Sequence, residues 1–122
     1  MDSDQTTHLA TLRDWVRLFI EARDWDQFHT PKDLAIGLIT EAGELLEHFR
    51  FRDDDEVETL LGDDAFCEAL QHELADCLYF ILAFSNKLDF DLTQALQAKM
   101  AISARRYPVQ LASGRNVKYT DL

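Results

Sequence analysis

The 122-residue chain is predicted to be all-α, a four-helix bundle with an irregular C-terminal tail. Three observations carry that prediction. Apolar residues recur at intervals of three and four through most of the chain. Thr, Asp and Pro stand at helix-start positions ahead of those runs. No segment alternates apolar and polar residues as a half-buried strand would. With 47% hydrophobic and 11% aromatic residues, the chain can bury a core within one domain, residues 1–122.

The first helix is expected over residues 7–24, burying Leu9, Leu12, Val16, Phe19 and Ile20. The loop WDQFH follows at residues 25–29. Thr30-Pro31-Lys32-Asp33 then supplies a capping hydroxyl, a proline at the first helical position and an acid in the first turn. The second helix runs from there to about Phe49. Residues 50–64 hold seven acids and a glycine, and read as a solvated connection with one short helical turn around residues 57–61. The third helix is expected over residues 64–88. Asp91, with Gln94 three residues on, caps a fourth that runs to about Arg106. Tyr107-Pro108 stops it, because proline disfavours a helical residue before it. The remaining tail has no clear period.

The net charge of -11 argues against binding a nucleic-acid polymer or a membrane surface, either of which calls for a basic face. The first residues lack the charged and apolar segments of a signal peptide. The most apolar run, residues 77–84, is too short to span a bilayer. Cys67 and Cys77 fall on the same expected helix, ~15 Å apart, too far to bridge. Two unpaired thiols point to a reducing cytoplasm.

The chemistry concentrates in LITEAGELLEHF and HELADCLYFILAF. Leu34, Leu38, Ala42, Leu45 and Phe49 form one stripe of the second helix. Glu41 flanks that stripe, and Glu44 sits one step further round. Glu73 and Asp76 repeat the three-residue spacing on the third helix, where the sequence beyond Asp76 is apolar nearly all round. Such a helix is expected to be buried, and a buried carboxylate without a partner costs several kcal/mol. Two facing pairs would gather four oxygen-rich groups suited to Mg²⁺ or Mn²⁺. Among 23 acidic residues, pairs of this spacing also arise on solvated helix faces, so a water-facing reading stays open for Glu41 and Glu44. A di-iron bundle would need Glu-x-x-His; Leu45 and Ala69 stand where His48 and His72 would require glutamates.

The ordered set RDWDQFH, EAGE, ELAD, RRYP and KYT resembles the MazG-like all-α nucleoside triphosphate pyrophosphohydrolases, and most closely their dCTP pyrophosphatase branch. The likeness runs from about Arg13 to Leu122, with 28 residues between Glu44 and Glu73. It implies Glu41, Glu44, Glu73 and Asp76 as Mg²⁺ ligands and catalytic groups, with Mn²⁺ as a possible substitute. It places Trp25, Asp26, Gln27, Phe28 and His29 in the nucleotide pocket, with Phe51 and Phe80 beside the base or sugar. The reaction implied is hydrolysis of a deoxynucleoside triphosphate to the monophosphate and pyrophosphate. Phe51 replaces the branch's Trp, Phe80 its Tyr and Val16 a pocket His, while Ser103 stands where Asn is usual. These departures leave the metal chemistry intact and predict a looser base preference.

Five of the twelve Lys and Arg residues fall in the last 24 positions. Lys99, Arg106, Tyr107, Lys118 and Tyr119 are expected to contact the triphosphate or to close over it, since guanidinium can grip phosphate bidentately. The apolar third helix exceeds what three neighbours can cover, which predicts a homodimer; the resemblance extends this to a tetramer. The expected function is therefore Mg²⁺-dependent hydrolysis of dCTP and related nucleotides. A dUTPase-like or broad house-cleaning hydrolase is the nearby alternative. A non-catalytic acidic helical binding protein is the alternative from another class.

Overall fold

Four side chains set the starts of the helices. The Thr30 hydroxyl accepts from the Asp33 amide at 3.2 Å, Asp53 from Glu56 at 2.8 Å, Asp63 from Ala65 at 3.4 Å and Asp91 from Gln94 at 2.8 Å. Each such cap satisfies an amide the helix cannot, worth about 1 kcal/mol. The structure is a computed structural model describing residues 1–122. It contains α1 (Leu9–Ala22), a 3-10 turn (Asp26–Phe28), α2 (Pro31–Glu47), α3 (Asp54–Leu60), α4 (Asp64–Leu88), α5 (Leu92–Arg106), α6 (Val109–Ala112) and a second 3-10 turn (Tyr119–Asp121).

The four expected long helices are all present as α1, α2, α4 and α5. Two short ones were not anticipated at their full extent. Residues 50–64 hold the seven-residue α3, longer than one turn, because Asp53 caps it and Asp54, Asp55 and Glu56 fill a first turn that favours negative charge. The tail, expected to be irregular, contains the four-residue α6 and the second 3-10 turn. Neither is long enough for a hydrophobic period to show. At α1, the amides of Thr6 and Thr7 bond back to Ser3, so the helix starts two residues late. At its other end Asp24 takes a left-handed conformation, φ 52°, which ends the helical path.

The chain forms two compact units, Met1–Asp89 and Phe90–Leu122. In the first, α2 packs along α4, and α1 packs on α4. Ile20, Leu34 and Ala83 form its buried centre, with Val16, Tyr79, Phe80 and Phe84 packed around them. Polar bonds lock α1 to α4: Arg13 Nε donates to Asn86 Oδ1 at 2.9 Å, and Asn86 Nδ2 returns to the Arg13 carbonyl at 2.9 Å. Lys87 Nζ reaches Asp26 at 3.2 Å and so ties the WDQFH loop to the end of α4. In the second unit, α5 leads into the tail, which folds back so that the Tyr119 amide donates to the Tyr107 hydroxyl at 3.3 Å. No helix is long and apolar enough to cross a membrane.

Leu74, Leu78 and Ile81 lie exposed along α4 at i, i+4 and i+7. α2 carries a second exposed stripe of Ile36, Ile39 and Leu46. α4 thus keeps an apolar face that the single chain leaves uncovered, in line with a sequence too apolar for three neighbours to cover.

Gly37 of α2 lies directly against the Phe80 ring of α4. A methyl group there would collide with the Phe80 ring. Alanine gains about 1 kcal/mol of helix propensity over glycine, whereas overpacking costs about 1–3 kcal/mol. Gly37→Ala is therefore expected to lower the melting temperature and displace Phe80. A variant melting higher than the parent would show that the ring yields freely.

Candidate metal centre and nucleotide pocket

Because α2 and α4 face each other, the two acid pairs converge. One carboxylate oxygen each from Glu41, Glu73 and Asp76 lies within 4.8 Å of the others. Glu44, three residues on, stands near enough to Glu41 to raise the pKa of its carboxyl. Glu41 and Glu73 are half-buried and Asp76 is exposed.

Two oxygens in this group, Glu41 Oε2 and Glu73 Oε2, are buried without a hydrogen-bond partner. Leaving such an acceptor unsatisfied costs about 1–3 kcal/mol, and more when it is charged. The Glu41 carboxyl is pushed above its ordinary 4.5, first by burial, then by hydrogen bonding to and repulsion from Glu44, then by Asp76 and Glu73. Every charge acting on it is another acid. Burial, and then Glu41, Asp76 and Glu73, also push the neighbouring Cys77 thiol upward, so it is not poised as a thiolate. Unpartnered carboxylate oxygens gathered without thiolate or imidazole ligands fit a hard divalent cation such as Mg²⁺ or Mn²⁺.

A cavity of about 330 Å³ opens beside the acids, lined by Phe19, Trp25, His29, Glu41, Asp76, Tyr79 and Phe80. Its walls brace one another. Trp25 stacks on His29 at 6.3 Å, and Phe19 meets Trp25 edge-on at 5.8 Å. Tyr79 stands edge-on to Phe19 at 6.0 Å and to Phe80 at 5.0 Å. The Tyr79 hydroxyl and His29 Nε2 share a hydrogen bond of 3.0 Å. Burial raises the Tyr79 pKa, so the phenol keeps its proton at neutral pH and can donate it to the imidazole. An aromatic slot thus ends on two members of the acidic cluster, Glu41 and Asp76. A π-faced ligand could sit in it with its anionic end toward the acids only if cations intervene.

The MazG-like family's sequence profile matches residues 36–122. The chain belongs to the MazG-like family. Curated relatives carry it further. It is 43% identical over 115 residues to a dCTP pyrophosphatase 1 of Bos taurus and 41% identical to that of Homo sapiens, in each case covering 92% of this chain and 68% of the relative. Among solved structures it is similar to a pyrophosphatase from Archaeoglobus fulgidus, with a TM-score of 0.77 and 31% identity, covering 88% of this chain and 99% of that one. Family, relatives and fold together make this MazG-like chain a nucleoside triphosphate pyrophosphohydrolase, and the non-catalytic alternative falls away.

Within the MazG-like site, the expected residues are brought together unevenly. Trp25, His29 and Phe80 line the cavity with Glu41 and Asp76. Asp26 and Gln27 are exposed, and their side chains are engaged by neighbouring residues. Asp26 pairs with Lys87, and Gln27 Nε2 donates to the Asp24 carboxylate at 2.9 Å. Both hold the loop. Phe28 is exposed. Phe51, 89% exposed, lies outside the cavity lining and adopts φ 63°, with the Arg50 guanidinium 4.5 Å from its ring. A bulky residue in that conformation stores about 1–3 kcal/mol of strain. In the second unit Tyr107 meets Tyr119 edge-on at 5.9 Å, with the Arg106 guanidinium 4.8 Å and the Lys118 ammonium 6.0 Å from the Tyr119 ring. Lys99 is exposed on α5.

Three residues of the site went unassigned in the sequence. Phe19 reads as core there, but it walls the cavity. Tyr79 lies three residues after Asp76, and that spacing alone puts it on the acid-bearing face. His48, weighed only as an iron ligand, bonds through Nε2 to Glu73 Oε1 at 3.3 Å. It follows Glu41 by seven residues and Glu44 by four, and so lies on their side of the helix.

Proposed function

We propose that the chain acts as a single Mg²⁺-dependent pyrophosphohydrolase domain that converts dCTP and related deoxynucleotides to the monophosphate and pyrophosphate. The observation that carries this reading is the aromatic cavity whose floor is shared with the acidic cluster. Glu41, Glu44, Glu73 and Asp76 would hold the metal; Mn²⁺ suits the same oxygens. Bound there, the ion would supply Lewis-acid polarisation of a phosphoryl oxygen and a water of lowered pKa. Trp25 and Phe80 offer π-faces to the base, while His29, oriented by Tyr79, offers an imidazole nitrogen to a polar edge or a phosphate oxygen. Glu44, exposed at the rim of the cluster, is the acid best able to take a proton from water. Phe51 is assigned to the base or sugar. Lys99, Arg106, Tyr107, Lys118 and Tyr119 are assigned to the phosphates, Asp26, Gln27 and Phe28 to the shape of the loop, and the cytoplasm is the compartment where the free thiols fit.

The exposed stripes on α2 and α4 support a homodimer or tetramer, since contiguous apolar surface on a soluble chain calls for a covering partner. A second copy of the chain is the occupant proposed.

Stacking tolerates every base, so selectivity rests on polar edge contacts. With Val16 and Phe80 lacking polar atoms, dCTP is expected to be a good substrate with modest discrimination among deoxynucleotides, dUTP included. Deoxyribose should be preferred over ribose, because the aromatic wall leaves a 2′-hydroxyl unpaired. The test is kcat/KM across the four deoxynucleotides, dUTP and CTP, with products identified. A preference above roughly a thousandfold for one base, about 4 kcal/mol, would contradict loose selectivity. No turnover of any nucleotide would contradict the proposal.

A further inference from the structure

A second cavity of about 430 Å³ also has His29 in its wall, but Arg17 there is paired with Asp14 and Glu21, and Lys87 with Asp26. The exposed apolar stripes belong to the assembly already proposed. The strongest remaining feature is His48, a residue that neither the carboxylate spacing nor the aromatic slot requires.

Its ring is held from two sides. Phe66, buried in the core, meets it edge-on at 6.0 Å. Glu73 Oε1 lies 3.3 Å from Nε2. His48 stands at the C-terminal end of α2, where its amide still bonds to the Leu45 carbonyl at 3.3 Å and its own carbonyl accepts from Arg52 at 2.7 Å. The backbone beneath the ring is therefore fixed as well. An ionised carboxylate can only accept, so this bond requires the proton on Nε2. That proton prevents Nε2 from ligating a metal and makes His48 a donor.

The consequence falls on Glu73. With Oε1 occupied by His48, Oε2 is the oxygen left buried and unpartnered. A carboxylate tethered through one oxygen has lost the freedom to rotate and presents the other as a single ligand atom. We infer that His48 is a positioning residue which orients Glu73 so that one oxygen is presented to a divalent cation held by Glu41, Glu73 and Asp76. This rests on the metal reading of the site and adds to it a residue outside the four acids. Donors behind ligating groups typically account for 10–100-fold in metal affinity.

The test is a pair of variants read by direct metal binding. His48→Leu keeps an apolar contact for Phe66 and removes the donor. His48→Gln keeps a donor near the position of Nε2 and gives up the aromatic contact. Mn²⁺ binding is measured by electron paramagnetic resonance on metal-free protein, with circular dichroism melts in chelator to establish that each variant folds. Positioning predicts about tenfold or greater weakening for His48→Leu and binding within about threefold of the parent for His48→Gln. A purely packing role predicts the reverse order. Parent-like affinity in His48→Leu, or equal weakening in both folded variants, would overturn the inference. Absence of Mn²⁺ binding by the unsubstituted chain would overturn the metal reading and this inference together.

Discussion

Replacing Glu41 or Glu73 by Gln, or Asp76 by Asn, is expected to lower kcat/KM by about a thousandfold while leaving the helical circular dichroism unchanged. The size follows from the role. Metal catalysis contributes several kcal/mol of transition-state stabilisation, and each factor of ten is about 1.4 kcal/mol. The fold should survive, because none of the three belongs to the buried core and the amide is nearly isosteric with the acid. In the metal-free state Glu41→Gln is expected to be more stable than the parent, since it removes a charge surrounded only by other acids. Glu44→Gln is expected to lose about 10²–10⁴-fold if it takes the water's proton. Steady-state kinetics on purified variants checks all four. Near-normal turnover in two of them would return the pairs to ordinary solvated acids.

Chelation is expected to abolish turnover and to leave a protein whose stability falls as pH rises. The Glu41 carboxyl has a folded-state pKa above its ordinary 4.5, so the folded metal-free chain holds that proton more tightly than the unfolded chain. The resulting stability is fully present below about 4.5 and is lost as pH climbs through the raised value. Glu41→Gln should flatten that part of the profile. Added Mg²⁺ or Mn²⁺ should act in the opposite sense. The ion binds deprotonated ligands, so its affinity grows with pH, and it raises the melting temperature because it binds the folded state. Melts across pH, with chelator and with metal, decide the point. A metal-free melting temperature that rises steadily from pH 5 to 7 would contradict the sign.

The long helices were legible because their caps and periods are strong: Thr30-Pro31 and Asp91 mark starts that the structure places at the same residues. α3 and α6 were not legible to the same degree, since four to seven residues carry too little periodicity and only the Asp53 cap announces the former. The convergence of Glu41, Glu73 and Asp76 follows from the repeated three-residue spacing once α2 and α4 face each other. What spacing could not reveal was which polar groups are already engaged. Asp26 and Gln27 look like ligand contacts in a loop rich in aromatics, but they spend their hydrogen bonds on Lys87 and Asp24. Tyr79 went unassigned and His48 was weighed only as an iron ligand, because their partners, His29 and Glu73, lie 50 and 25 residues away. Pairings across such separations depend on how helices dock, which local pattern does not encode.

The most direct measurement is a phosphorus NMR time course of dCTP with the enzyme, run once with Mg²⁺ and once in excess chelator. With Mg²⁺ the triphosphate resonances should give way to those of dCMP and pyrophosphate in equal amounts, and with chelator they should persist. Appearance of dCDP and orthophosphate, or full turnover in chelator, would contradict metal-dependent release of pyrophosphate at these carboxylates.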